Sequence, residues 1–243
     1  MSILAEPYFR VRKNNGVLFE PDVNTVLWLP GQDDAYSSII RDRSGKGNDG
    51  TITGATWART GQGLWYLSFD GDDNVDCGLN VASLELTTLS VLCWINPTTS
   101  ADHKTIFNVA DNAVVASGFT CAVRQNDDGT NPDELYTVVW SGATTLKYGS
   151  VVTYGTWQMV TMTLAGTALK LYQNITNTLD DTVAGVPIFT GDNRVVYGSG
   201  WASTPAYNVG FLGGLALPRV FPRILTLSEI TNIYNQERHL FGV

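Results

Sequence analysis

A chain of 243 residues, 44% of them hydrophobic, can bury a sizeable core without metal or disulfide staples. Its 23 Asp and Glu against 15 Lys and Arg leave a net charge of −8, which argues against nucleic acid or an anionic membrane surface as a partner, since both need a basic patch. No run reaches the roughly 18 apolar residues of a bilayer-spanning helix. The length fits one large β domain or two small ones, and one is favoured because sandwiches often run to this size.

Residues 1–24 stand apart. They hold Pro7, a basic cluster at Arg10, Arg12 and Lys13, an Asn14-Asn15-Gly16 turn and Pro21. This composition predicts an extended arm with one short hairpin, Phe9–Val11 against Val17–Phe19. Tyr8, Phe9, Arg10, Arg12 and Lys13 are the candidate partner-docking residues. The arm either packs on its own domain or docks on a neighbour, and both readings stay open. In the second case a chain lacking residues 1–24 is expected to fold and to fail to join its complex. Met1–Pro7 carries no charged segment ahead of an apolar one, so no secretory signal is read there.

From Thr25 to the C-terminus the pattern is strand after short strand. Thr25–Leu29 opens the series, and Thr51-Ile52-Thr53, Leu64–Phe69 and Asn74–Cys77 follow. Leu89, Val91, Cys93 and Ile95 alternate with Ser90, Leu92 and Trp94, so even the second face is partly apolar. That strand is expected to be central and covered on both sides. Further strands are predicted near Thr105–Val109, Phe119–Arg124, Leu135–Trp140, Thr156–Leu164, Leu169–Gln173, Arg194–Tyr197 and Leu215–Phe221, with Asp128-Gly129, Ala165-Gly166 and Gly191-Asp192 as turns. Thr226-Leu227-Ser228-Glu229 is a capping box, and Leu227, Ile230, Ile233 and Tyr234 mark the apolar stripe of one helix that closes an end of the sandwich. Cys77, Cys93 and Cys121 lie inside apolar strands and read as small buried hydrophobes; a Cys77–Cys93 disulfide is the other arrangement considered. The fold class is therefore all-β: a two-sheet antiparallel sandwich over 25–243, one short C-terminal helix, and the N-terminal arm.

Two motif blocks sharpen this. Asp42-Arg43-Ser44-Gly45-Lys46-Gly47-Asn48-Asp49-Gly50 leads into the Thr51 strand and on to Gly54-Ala55-Thr56-Trp57, whose Trp57 offers an apolar face to the core. Leu67-Ser68-Phe69-Asp70-Gly71-Asp72-Asp73-Asn74-Val75-Asp76-Cys77-Gly78 is a strand, an Asp-Gly turn and a second strand. Two more follow, Thr156-Trp157-Gln158-Met159-Val160 with Leu171-Tyr172-Gln173-Asn174, and the ending Arg219–Ile230. Together, over roughly residues 25–238, they resemble the laminin-G-like domains of the concanavalin-A-like lectin and glucanase superfamily, which implies a jelly-roll sandwich. In one place the chain departs from that pattern: Leu215-Ala216-Leu217-Pro218 stands where the family tends to carry an acidic pair.

The resemblance leaves several chemistries to weigh. Glucanases of this superfamily need paired carboxylates on one strand face. The six glutamates, Glu6, Glu20, Glu85, Glu134, Glu229 and Glu237, provide no such spacing within a predicted strand. His103 and His239 have no Gly-x-Ser-x-Gly partner, and Ser44-Gly45-Lys46-Gly47 lacks phosphate-loop spacing. The expectation is a protein that is no enzyme and requires no cofactor. Calcium is the optional ligand, because many relatives carry it: Asp70, Asp72, Asp73 and Asp76 cluster at one turn, Asp127 and Asp128 at another, and Asp72 and Asp73 are the candidate ligands. The alternative is that these Asp-Gly turns serve the backbone alone. Sugar binding needs aromatic platforms, and the candidates are Tyr136 and Trp140 on one strand, with Trp201 and Tyr207 in loops. Two functions follow. One is a virion surface or decoration protein with protein partners, in a capsid or a homo-oligomer, docking through residues 1–24. The other is a lectin-like glycan-binding module, extracellular or on a virion.

Overall fold

The computed structural model describes residues 21–81, 87–98, 104–111, 117–124, 133–189, 193–199 and 210–243. In chain order its strands are β1 (Leu27–Trp28), β2 (Ile39–Ile40), β3 (Gly50–Thr53), β4 (Thr56–Arg59), β5 (Trp65–Asp70), β6 (Asn74–Asn80), β7 (Thr88–Pro97) and β8 (Lys104–Asp111). There follow β9 (Gly118–Arg124), β10 (Glu134–Trp140), β11 (Thr144–Val151), β12 (Gln158–Ala165), β13 (Ala168–Gln173), β14 (Thr176–Thr182), β15 (Asn193–Tyr197), β16 (Leu212–Phe221), helix α1 (Leu227–Glu237) and a 3-10 turn at Arg238–Leu240.

Two eight-stranded antiparallel sheets result. The first runs β14-β13-β12-β7-β16-β5-β4, with β1 also on β16; the second runs β11-β10-β9-β8-β15-β6-β3-β2. The connections β5–β6, β6–β7, β7–β8, β11–β12, β14–β15 and β15–β16 cross from one sheet to the other, as in a jelly roll. The expected all-β sandwich with one C-terminal helix is what forms.

Alternation along β7 divides its side chains between two cores. Leu89, Val91, Cys93 and Ile95 join the large core between the sheets, with Phe107, Phe119, Leu135, Leu171 and Val195. Leu92 and Trp94 point the other way, into a second core with Met159, Ala216, Phe221, Ile230 and Ile233. Helix α1 supplies that cover. Its N-terminus is the capping box read from the sequence: Glu229 N–H donates to Thr226 Oγ1, and Thr226 N–H donates to Glu229 Oε2 at 2.8 Å. Trp94 then stacks against Tyr234 and Phe241, with ring centroids 5.6 and 4.2 Å away. Its indole N–H donates to Glu237 Oε2 at 2.8 Å.

Four strands were not visible as patterns: β2, β4, β11 and β14. The last two are edge strands, one per sheet, and Thr144–Val151 and Thr176–Thr182 are mostly polar and half-exposed. An edge strand has one unpaired side and little apolar periodicity, and charge on it blocks edge-to-edge association. Lys147 of β11 meets Asp181 of β14 at 2.6 Å, a bridge from one sheet edge to the other.

The departure at Leu215-Ala216-Leu217-Pro218 is a β-bulge. The pairing of β16 with β7 shifts register between Ala216 and Arg219, and Leu217 has a φ of +52°. Pro218 has no N–H for the ladder, so a central strand tolerates it only at such a break. At the bulge the other neighbour of β16 changes from β5 to β1. Near the arm boundary, Asp22 accepts from Asn24 N–H at 2.8 Å and pairs with Arg223 at 3.2 Å, so residues 22–24 are tied to the end of β16.

Candidate functional site

The first motif is an aspartate-organised loop. Asp42 accepts from the backbone N–H groups of Trp28, Ser44 and Asn48 and from the Ser44 hydroxyl, at 2.8–3.0 Å, while Asp42 N–H donates to Asp49 Oδ1 at 2.8 Å. Gly45 and Gly47 take φ values of +82° and +79°. Asn48 Nδ2 donates to Val26 O at 2.8 Å and fastens the loop to the start of β1. The loop is therefore held together largely by its own hydrogen bonds.

The second motif makes the acidic turn between β5 and β6. Asp70, Asp72 and Asp73 bring carboxylate oxygens within 4.8 Å of one another. Asp73 is buried and its Oδ2 accepts from Asp70 N–H at 2.9 Å. A Cβ on Gly54, whose φ is +81°, would lie 1.9 Å from Asp73 Oδ1. The Gly54 motif and the Asp70 motif are thus one structure: the absent side chain makes room for the carboxylate. Burial raises the Asp73 carboxyl above its ordinary value, and the charges of Asp70 and Asp72 act in the same direction against the Asp70 N–H bond. The Asp72 carboxyl is raised chiefly by its hydrogen bond with Asp70. Asp76 turns elsewhere, to Arg194 at 3.1 Å and Gly78 N–H at 3.0 Å.

The aromatic candidates fare differently. Tyr136 and Trp140 do share a face of β10 with Val138, but they are only 2% and 8% exposed. Rings so enclosed offer no open face to a soluble sugar, which corrects the expectation for this strand. Tyr136 packs against Tyr148 of β11, with ring centroids 6.4 Å apart. Trp201, Tyr207, Asp127 and Asp128 lie outside the described residues, as do Tyr8, Phe9, Arg10, Arg12 and Lys13.

Exposed aromatic surface occurs where the sequence reading did not look. Tyr36, between β1 and β2, is 83% exposed and packs edge-to-face on Trp65 of β5, with centroids 5.3 Å apart. Arg59 lies 4.1 Å over the Trp65 ring. The available signal was Asp33-Asp34-Ala35-Tyr36-Ser37, turn residues interrupted by a large ring. Beneath it, a cleft lined by Trp57, Trp65, Tyr66, Leu217 and Pro218 measures about 10 Å³, room for one water and too small for a sugar ring.

Other reactive groups among the described residues serve the structure. Cys77, Cys93 and Cys121 are free and buried, and burial pushes the Cys121 thiol up to about 12. Glu229 caps α1, and Glu237 is buried against Arg219. Asp34, Asp180 and Asp181 each pair with a cation.

Among solved structures the chain is similar to domain 4 of AbnA, an extracellular arabinanase from Geobacillus stearothermophilus in complex with arabinotriose. The identity is 20%, the TM-score 0.64, and the match covers 87% of this chain and 98% of that one. It is similar also to a botulinum neurotoxin type C structure, from work relating that toxin's cell entry to interaction with two ganglioside molecules, at 15% identity and TM-score 0.64. A third likeness is the binding domain of botulinum neurotoxin DC in complex with rat synaptotagmin II, at 14% identity and TM-score 0.63. Each toxin match covers 87% of this chain and 51% of the toxin chain, so this chain spans about half their length. At these identities the likeness is one of fold. No curated protein matches. The family model of the concanavalin A-like lectin/glucanases superfamily matches residues 69–231, more than half of the chain. The expected resemblance thus holds, and the chain belongs to the laminin-G-type family of the concanavalin A-like lectin/glucanases superfamily.

Proposed function

We propose that this chain is a non-catalytic recognition module for glycans. The observation that carries the reading is the commitment of its acids. Among the described residues, Glu229, Glu237, Asp34, Asp42, Asp76, Asp180 and Asp181 each hold a cation or a backbone amide, and the group of three acids whose carboxylates come close together, Asp70, Asp72 and Asp73, shares one turn. Glycoside hydrolysis needs two carboxylates about 5–10 Å apart on either side of the scissile bond, not packed together. Binding without hydrolysis is the chemistry that this arrangement supports. The arabinotriose complex of the arabinanase domain, which matches over 98% of its length, and the ganglioside interaction of the type C toxin support glycan as the ligand class. The test is retention of the full chain on immobilised oligosaccharides, with the eluted sugars checked for cleavage. Retention with intact sugars is expected, and released fragments would sink the non-catalytic reading. The docking role of residues 1–24 in a capsid or homo-oligomer, at a virion surface, is a separate proposal resting on the sequence of that segment.

We also propose calcium at Asp72 and Asp73, joined by Asp70. Oxygens within 4.8 Å of one another suit a cation that takes oxygen ligands at about 2.3–2.6 Å. The sign of the pH effect follows from the raised carboxyls. Their contribution to stability is complete below the unfolded value of 3.8 and is lost as pH rises through the higher folded values, so at neutral pH three crowded charges lack compensation. Calcium at a hundredfold excess over its Kd should therefore stabilise the fold by about 2.7 kcal/mol at pH 7. The gain should vanish once pH falls below 3.8, and Asp73→Asn should abolish it at pH 7. A thermal midpoint at pH 7 that ignores calcium would remove the site.

A further inference from the structure

The geometry points to a saccharide platform on the loop between β1 and β2, in which the ring of Tyr36 takes the C–H face of a neutral sugar; this rests on the glycan reading above. Ser37 N–H donates to Asp34 O at 2.8 Å and closes a four-residue turn with Tyr36 at its third position. There Tyr36 holds a φ of +70°, a conformation that turns ordinarily give to Gly or Asn. A large residue in that region is strained, and such strain persists only where its surroundings impose it, which is the habit of ligand clamps.

The surroundings here do impose it. Gln32 donates to Trp65 O at 2.9 Å and accepts from Trp65 N–H at 2.9 Å, stapling the loop to β5. Asp34, buried, accepts from Arg41 N–H at 2.9 Å and Arg41 Nε at 2.5 Å. Trp57 Nε1 donates to Ser37 O at 2.8 Å from below. The ring packs at 75° to Trp65, which carries Arg59 over its face, so the indole is a buttress, and the phenol ring, 83% exposed, is what faces outward. A turn needed only for folding would place Gly or Asn there and expose no ring. The fold instead fixes an aromatic face in water before any ligand arrives, which lowers the ordering cost of binding.

Charge selects the ligand class. Around the ring Asp33 pairs with Arg43 at 3.3 Å and Asp34 with Arg41, Asp49 adds its charge near Arg41, and Arg59 lies over Trp65, so three acids face three cations and neither an anionic nor a cationic partner gains a large net attraction. Donors and acceptors in the same loop as a flat apolar face suit a polyhydroxylated ring. One tyrosine contributes about 200 Å² at most, far below the roughly 800 Å² per partner of a stable protein interface, so a sugar fits better than a protein.

The experiment compares the full chain with Tyr36→Gly and Tyr36→Phe on immobilised neutral gluco-, galacto-, manno- and arabino-oligosaccharides. At least one should retain the parent, Tyr36→Gly should weaken that retention about tenfold or more, and Tyr36→Phe should stay within about threefold. Tyr36→Gly should also unfold at a temperature no lower than the parent, because the turn is relieved. If Tyr36→Gly binds as the parent does, the platform is wrong and the glycan reading stands. If no oligosaccharide retains the parent, both fall. A Tyr36→Gly variant that keeps its sugar binding but changes oligomeric state by light scattering would assign the ring to a protein contact and overturn the inference.

Discussion

Glu237→Ala is expected to destabilise the protein by about 3–5 kcal/mol, the range for removing one partner of a buried ion pair. Glu237 and Arg219 are both fully buried, with Arg219 Nη2 donating to Glu237 Oε1. Arg219 also lies 4.0 Å over the Trp28 ring, and Glu237 Oε2 takes the Trp94 indole proton. Burial lowers the Arg219 pKa, and the charge and hydrogen bond of Glu237 oppose the effect. Without Glu237, a guanidinium inside the second core loses its counter-charge and an indole N–H loses its acceptor. Urea unfolding measures the loss. Arg219→Met combined with Glu237→Leu should cost much less than the single change, because an apolar pair of similar volume replaces two charges that were expensive to bury. A single substitution costing under about 1 kcal/mol would show that the pair does not hold α1 to the sheet.

Gly213→Ala should cost about 3 kcal/mol or more, and for a domain of this size that lowers the thermal midpoint by roughly 6–12 °C. Gly213 has a φ of +128°, and a Cβ there would lie 2.2 Å from Asn96 O and 3.0 Å from Pro97 Cα and Thr98 N. Those contacts are backbone of the neighbouring β7 and of the residue that follows it, which cannot swing aside as a side chain would. The adjoining Gly214 is pressed in turn by Trp157, whose Cη2 would stand 2.7 Å from a Cβ. Gly213-Gly214 is therefore where β16 enters between β5 and β7, and it enters only without side chains. Differential scanning calorimetry tests this. A midpoint within about 2 °C of the parent would mean that β7 yields more readily than a packed sheet should.

Wherever burial imposes a period on the chain, the strands were readable beforehand. β7, β10, β12 and β16 are covered on one or both faces, so their apolar residues recur every two positions. The edge strands β11 and β14 carry no such mark, because their pairing is decided by a neighbour and not by their own side chains. The acidic turn was legible for the same local reason, since Asp70 to Asp73 are close in sequence and remain close in space. Tyr136 and Trp140 show the converse. Alternation placed them correctly on one face of β10 and had no means of showing that the face is covered.

By itself, then, the sequence determined the all-β class, the capped C-terminal helix, the family and the acidic turn, all features written in neighbouring residues through period, turn chemistry and capping. Tertiary structure alone decided which aromatic rings meet water. It enclosed Tyr136 and Trp140, and it exposed Tyr36 by pinning its turn from Trp65, Trp57 and Arg41, residues up to 29 positions away along the chain. It likewise joined Gly54 to Asp73 and Arg219 to Glu237. Exposure is a property of what packs on a residue, and packing partners in a jelly roll come from distant strands, so it is settled only when the sheets close.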